Sequence, residues 1–313
     1  MKTLIINSIE PACGVYQFGV NLYNILNSVQ SSNKWHIVDC SSGIDVLNAV
    51  NTINPNAIIF NYHPITQPFV NLDLIKQTRK VCIGIYHPIT QKIADTIQPN
   101  LFHHWICSDP SLITRNLHIS KFSRPIYQWV NPYPIPQIPT FGTFGFGFAN
   151  KGFPKIIKEV QKQYDNAVIR MHLGFSKFID PDGVQSKRRI TESLKLIKKP
   201  GINLVASHNL LSPLELLQFL GQNTANIFLY DNMDNGISST IDYALAVRRP
   251  IIISKSYMFR HIWGAQPSIS IKENTIPEIV ANGFAPLEPF MQAWHPQNLS
   301  NELTAILERF ITL

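Results

Sequence analysis

The segment that leaves this chain least freedom runs from Ile227 to Arg260, IFLYDNMDNGISSTIDYALAVRRPIIISKSYMFR. It opens on an apolar run, Ile227 to Tyr230, that is too short for a helix and reads as a buried strand. A polar loop follows, holding Asp231, Asn232, Asp234, Asn235 and Gly236. A helix of about ten residues starts near Ser238, and a second apolar run, Pro250 to Ser254, comes directly after it. Two buried strands joined by one helix are a βαβ unit, in which the strands lie parallel and the helix crosses over them. Open α/β sheets bind ligands outside the carboxyl ends of their strands, which is where this loop falls. Ser238 and Ser239 sit at the helix mouth. They either turn backbone N–H groups and hydroxyls toward a phosphate or only cap the helix.

The same alternation fills the rest of the chain. Strands are predicted at Thr3 to Ile6, 35–39, 57–62, 81–86 and 103–108, separated by helices from about Tyr16 to Val29 and at 44–53, 68–78, 90–97 and 110–117. Between Arg124 and Pro139 the sequence RPIYQWVNPYPIPQIP carries five prolines, a density that bars helix interiors and central strands, so the segment reads as an extended linker. A second series follows: TFGTFGFGF, a helix in NKGFPKIIKEVQKQY, the strand NAVIRMHLG, a loop with DPDG at 180–183, and a helix at 185–198. The strand INLVAS, a helix capped by Ser212, and the βαβ unit complete it, with SISI at 268–271 as a candidate edge strand. From Asn298 to Ile311, Leu299, Leu303, Ile306, Leu307 and Phe310 share one helical face. A chain of 313 residues is too long for one ordinary core. We therefore expect two domains, 1–134 and 135–295, and a closing helix at 296–313.

An apolar content of 45% with 15% charged residues fills two cores. No run of eighteen apolar residues is present, and MKTLIINSIEPACG is too soon interrupted for a signal peptide, so the expected location is cytoplasmic, with peripheral membrane contact compatible. Cys13, Cys40, Cys82 and Cys107 are far apart, which predicts free thiols and no metal pair. Lysine and arginine outnumber aspartate and glutamate by 27 to 20, which favours anionic ligands, yet no nucleic-acid-binding pattern accompanies the excess. Gly14, in the first βα turn, can let a backbone approach a ligand, but the G-x-G-x-x-G fingerprint is missing there, which counts against a nicotinamide or flavin site.

Several short patches carry a resemblance. Asp234 and Asp242 stand with seven residues between them at the loop and helix start of the βαβ unit; Lys151 and Gly152 follow the first strand of the second series; and His87 ends a first-series strand in GIYHP. Together with the α/β pattern, these residues resemble the B-type fold of nucleotide-sugar glycosyltransferases: two Rossmann-like, doubly wound parallel-sheet domains facing a central cleft. The sharper resemblance is to the retaining, glycogen-synthase-like class (glycosyl transferases group 1). Three departures stand out. Both acids are Asp where that class has Glu. Asp242 is one residue farther from Pro250 than the pattern has it, which leaves Tyr243 as the alternative. Phe146 occupies the place of an arginine that helps hold the diphosphate.

The resemblance implies transfer of a sugar from a UDP- or GDP-sugar to a glycan or lipid-linked acceptor, without a metal or other cofactor. His87, Lys151 and Asp234 would form the catalytic set. Gly14, Gly236, Ile237, Ser238, Ser239 and Asp242 would help bind the donor, with Lys151 countering the diphosphate charge and Asp234 and Asp242 accepting hydrogen bonds from sugar and ribose hydroxyls. Tyr16, Gln17 and His63 would border the acceptor, and His63 competes with His87. Read without the resemblance, Lys151 is an exposed helix-start lysine, Asp234 a turn former, and each histidine a strand-end structural residue. A non-catalytic nucleotide-sugar-binding protein, a sugar-nucleotide epimerase and, on charge alone, a DNA-modifying sugar transferase are the competing functions.

Overall fold

The computed structural model describes residues 1–11, 13–175, 180–234 and 236–311. The chain forms two compact units, Met1–Tyr127 with Gln292–Leu313, and Gln128–Met291.

In the first unit, β1 (Lys2–Asn7), β2 (Lys34–Asp39), β3 (Ala57–Tyr62), β4 (Val81–Tyr86), β5 (His104–Cys107) and β6 (Ile119–Lys121) form one sheet in the order β2-β1-β3-β4-β5-β6. All its pairings are parallel. Helices α1 (Gly14–Ser28), α2 (Gly43–Ile53), α3 (Leu72–Thr78) and α4 (Gln91–Thr96) connect the strands. Strand side chains alternate between the two faces. Leu4, Ile6, Ile58 and Phe60 bury themselves against Val46, Val50, Leu74 and Ile75 of α2 and α3. Ile5, Ala57 and Ile59 meet Phe18, Leu22, Ile25 and Leu26 of α1 on the other face.

Local chemistry sets the helix starts. Ser42 and Asp45 form a capping box at α2, and Asn71 and Thr90 each accept from a backbone N–H at the start of α3 and α4. The Asn71 cap begins α3 four residues later than the apolar pattern predicts.

The predicted helix at 110–117 is absent. There the Asp109 carboxylate accepts from the Ser111 N–H and hydroxyl, while Asn116 Nδ2 donates to the carbonyls of Ala94 and Ile97. Short polar side chains thus give this backbone partners other than a helix ladder, and the segment runs on into β6, a strand the sequence did not announce.

The second unit holds β7 (Thr140–Phe144), α5 (Phe153–Gln163), β8 (Ala167–His172), α6 (Val184–Leu194), β9 (Ile202–Ser207), α7 (Pro213–Gly221), β10 (Ala225–Phe228), α8 (Thr240–Ala246), β11 (Ile251–Ile253), α9 (Ile276–Ala281) and α10 (Glu288–Ala293). Its sheet is also fully parallel, in the order β11-β10-β7-β8-β9. The candidate edge at 268–271 contributes one parallel bridge, Ile253 to Ser270. The proline-rich stretch contains no helix or strand between Lys121 and Thr140. Its later part is fastened to the second unit: Asn131 Nδ2 donates to the carbonyls of Gly221 and Val247, and Arg249 to those of Tyr133 and Pro134.

The chain returns to the first unit as α11 (Pro296–Ile311), whose Leu299, Leu303, Ile306 and Leu307 complete the core under α1. Glu302 accepts from the Ser123 N–H and hydroxyl on the same unit. Three of the four cysteines are buried and all four are free; burial pushes the Cys40 and Cys107 thiols up to about 12 and that of Cys82 to about 11.

Candidate functional site

Each sheet has one point where the order of strands reverses. In the first unit it lies between β1 and β3, in the second between β7 and β10. Loops leaving the carboxyl ends of such strands diverge and leave room for a ligand.

In the second unit the two flanking loops are tied together. Gly152 sits at φ +67°, and a Cβ there would come within 1.9 Å of Leu229 O. Glycine is required on both counts, and the contact brings the turn after β7 against the end of β10. The Asp231 N–H donates to Asn150 O at 2.8 Å, closing the same junction. Lys151 is thereby held with its Nζ 3.9 Å above the Tyr230 ring. One turn on, Lys155 pairs with Asp231.

Asp234 lies in the loop after β10, half exposed, with its Oδ1 3.4 Å from Arg260 Nη1. Lys151 and Asp234 therefore both follow carboxyl ends of the two strands flanking this reversal point. Gly236 is buried at φ +82°, a conformation that favours glycine. Ile237 is half-buried, and Asn235 lies outside the described residues.

Ser238 and Ser239 precede α8, which begins at Thr240. Ser238 is buried: its N–H donates to Met258 O at 2.9 Å and its hydroxyl pairs with that of Thr240 at 2.8 Å. Thr240 in turn meets Tyr230 OH at 3.3 Å. Ser239 is exposed and makes no capping bond with its side chain. Asp242 is buried in the first turn of α8, and Tyr243 packs edge-on against Phe144 with ring centroids 5.7 Å apart. Phe146, where the resemblance implies an arginine, is 37% exposed.

In the first unit the strand ends carry a buried polar chain. Asn7, at the end of β1, donates to Asp39 Oδ1 at 3.1 Å and to Tyr16 O at 3.4 Å. Asn61, on β3, donates to Asn7 Oδ1 at 2.8 Å and to Val15 O at 2.6 Å, and its own oxygen is 2.9 Å from His87 Nε2. The His87 ring stands edge-on to Phe18 at 4.8 Å, and the Arg124 guanidinium lies 5.6 Å from the centre of that same Phe18 ring. Burial, then the charge of Arg124, then His63, press the His87 pKa down to about 3, so the ring is neutral. Burial also lowers that of His63, whose Nδ1 accepts from the Ile65 N–H.

Tyr16 OH donates to Asp39 Oδ2 at 3.3 Å; burial, then the Asp39 charge, raise its pKa. Gln17 turns back to donate to Pro11 O. Gly14 opens α1, and a Cβ there would meet nothing within 4 Å. The glycine that matters is Gly19, where a Cβ would fall 2.4 Å from Asn7 Oδ1 and 2.6 Å from Asn61 Nδ2.

The structure thus brings His87, His63, Tyr16 and Gln17 to the carboxyl edge of the first sheet, and Lys151, Asp234, Gly236, Ile237, Ser238 and Ser239 to that of the second. Sequence reasoning missed Asn7, Asn61, Gly19, Arg124 and Arg260. Asn7 and Asn61 did leave a signal, since each is a lone amide in or ending a run of apolar strand residues, TLIIN and AIIFNY. Among the described residues no group of three or more His, Cys, Asp or Glu could hold a metal ion, and no helix is long and apolar enough to cross a membrane.

Two parallel doubly wound sheets, joined by an extended segment and with the last helix returned to the first unit, are the architecture of the B-type glycosyltransferase fold, and solved structures align with the chain over nearly its full length. A glycosyltransferase from Rickettsia africae superposes with a TM-score of 0.67 at 10% identity, covering 99% of this chain and 98% of that one. The Anabaena protein HepE, solved in complex with UDP, gives 0.66 at 10% identity over 99% and 100%. An α,α-trehalose-phosphate synthase (UDP-forming) from Burkholderia xenovorans, solved with glucose-6-phosphate, gives 0.60 at 9% identity over 100% of both chains. No family model and no curated protein sequence matches the chain. At such identities the likeness establishes the fold.

Proposed function

We propose that this chain is a nucleotide-sugar-dependent glycosyltransferase, with the donor diphosphate bound at the carboxyl edge of the second sheet. The observation that carries the reading is the coupling of Lys151 and Asp234 to the two strands flanking the β7/β10 reversal, enforced by the Gly152 contact with Leu229 O. A departing diphosphate gathers negative charge, and a preorganised cation is the usual means of stabilising it. Lys151 supplies that charge once its Nζ leaves the Tyr230 face for the phosphate. Asp234 accepts hydrogen bonds from the donor sugar, and the exposed Ser239 at the start of α8 adds polar contacts. The Ser238 N–H is committed to Met258 O, so Ser238 takes part through its surroundings and not through that donor.

His87 is neutral and so orients hydroxyls; it does not counter phosphate charge. Asp242 is buried, so a ribose contact requires the first turn of α8 to open toward the nucleotide. That UDP and UDP-forming chemistry accompany two of the similar structures favours a UDP-sugar over a GDP-sugar. A glycan or lipid-linked acceptor, a hexosyl group, retention of configuration, metal independence and a cytoplasmic location belong to the same reading.

A second reading, a nucleotide-sugar-binding protein without transfer activity, is favoured by one observation: Phe146 stands where a diphosphate-holding arginine is expected. A screen of UDP-, GDP- and ADP-sugars that records both heat of binding and nucleotide release separates the two. Binding with release in the presence of acceptor sugars supports transfer, and binding without release supports the second reading.

A further inference from the structure

The amide chain in the first unit has a direction that backbone atoms settle. A carbonyl only accepts, so the Asn61 atom 2.6 Å from Val15 O is Nδ2, and the same Nδ2 gives its other hydrogen to Asn7 Oδ1 at 2.8 Å. Asn7 is oriented independently, because its Nδ2 faces two acceptors, Asp39 Oδ1 and Tyr16 O. Both Asn61 hydrogens are therefore spent. What Asn61 offers His87 is Oδ1, an acceptor, 2.9 Å from Nε2. Nε2 must carry a proton, and in a neutral imidazole Nδ1 then has none. Gly19 leaves the space in which this chain packs, since any Cβ there would overlap both amides.

We infer that Asn61 is a positioning residue that locks His87 in its Nε2–H tautomer, so that Nδ1 accepts a hydrogen bond from a ligand hydroxyl and cannot donate one to a phosphate oxygen. The neutrality of the half-buried ring agrees with this, because a charged imidazole would be a donor at both nitrogens. The tautomer follows from the hydrogen bonds alone; only the identity of the ligand group as a sugar hydroxyl rests on the transferase reading.

Long-range proton–nitrogen NMR of the 15N-labelled full chain reads the tautomer directly, with His87 assigned by the signals lost in His87→Gln. The expected spectrum at pH 7 has a pyrrole-type Nε2 and a pyridine-type Nδ1. The opposite pattern, or two averaged nitrogens, overturns the proposal. Two variants separate positioning from packing. Asn61→Gln keeps an amide oxygen for Nε2 together with both amide hydrogens and is expected to keep the tautomer. Asn61→Leu keeps volume but no acceptor and is expected to average it. A merely structural asparagine would leave the His87 pattern unchanged in Asn61→Leu, and should either variant not fold, the wild-type spectrum still decides the tautomer. In the ligand arm, UDP-glucose is expected to move the Nδ1 signal and UDP alone to leave it in place. A shift with UDP alone, or none with UDP-glucose that calorimetry shows to be bound, overturns the hydroxyl assignment. Absence of any calorimetric binding would instead count against the transferase reading and leave the tautomer result standing.

Discussion

The two units put polar residues at the same topological place and build them from different chemistry. At the β1/β3 reversal the strand ends carry buried, uncharged amides and a neutral, half-buried histidine, bonded to one another, with Asp39 at the rim. At the β7/β10 reversal the loops carry half-exposed lysines and aspartates and an arginine whose side chain is only 10% exposed, paired as ions or over a ring. A buried neutral network fixes geometry, because each unmade bond costs the desolvation of its partners. Exposed charges fix little geometry but remain free to exchange one partner for another, and exposed pairs of this kind are worth at most about 1 kcal/mol. Under the proposed function, the contrast suits a division in which one sheet edge orients hydroxyls and the other receives an anion.

The largest effect should come from the joint that makes the second site. Gly152→Ala places a Cβ into Leu229 O at a positive φ, and a loss of roughly 3–5 kcal/mol of stability is expected by denaturant or thermal unfolding. A melting curve unchanged from wild type would show that the two loops are not locked. Next, Lys151→Ala and Asp234→Ala should each lower sugar transfer by ~100-fold or more while leaving the melting temperature near wild type. Full transfer in both would remove the charged edge from the chemistry.

On the neutral edge, Gly19→Ala pushes on both amides and should cost about 1–3 kcal/mol. The pH dependence tests the same edge. His87 is held near 3, well below the usual imidazole value, so between those limits the unfolded chain binds the extra proton. Its contribution to stability is full above the unfolded pKa and is lost as pH falls below it. His104 and His172, both near 4, add slopes of the same sign. Unfolding free energies measured from pH 7 to 4.5 should therefore fall, and fall less steeply in His87→Gln. The smallest effect is expected for Lys155→Gln, whose exposed ion pair with Asp231 is worth less than about 1 kcal/mol.

Much of the architecture was legible because parallel strands buried on both faces write themselves as short continuous apolar runs. The proline-rich stretch was equally plain. The segment 110–117 was misread because its periodicity allowed a helix, while Asp109 and Asn116 gave the backbone other partners. At the second edge Lys151 and Asp234 were singled out because they stand in short patches that resemble a known class, whereas nothing of that kind marks Lys155 or Arg260. Gly14 was singled out ahead of Gly19 for its place in a turn, yet the steric demand falls at Gly19, where a helix meets amides from β1 and β3, a contact between residues far apart in sequence. Asn7 and Asn61 act through such contacts too, and the one local trace they leave is a lone amide within an apolar run.

The measurement that bears most directly on the whole account is calorimetric titration of the wild-type chain and of Lys151→Ala with UDP-glucose and the other UDP-, GDP- and ADP-sugars. The account predicts saturable binding of at least one donor to the wild type and its loss, or a weakening of ~10-fold or more, in Lys151→Ala, about 1.4 kcal/mol of binding free energy. Equal affinity in the two proteins, or no binding of any donor to the wild type, would contradict it.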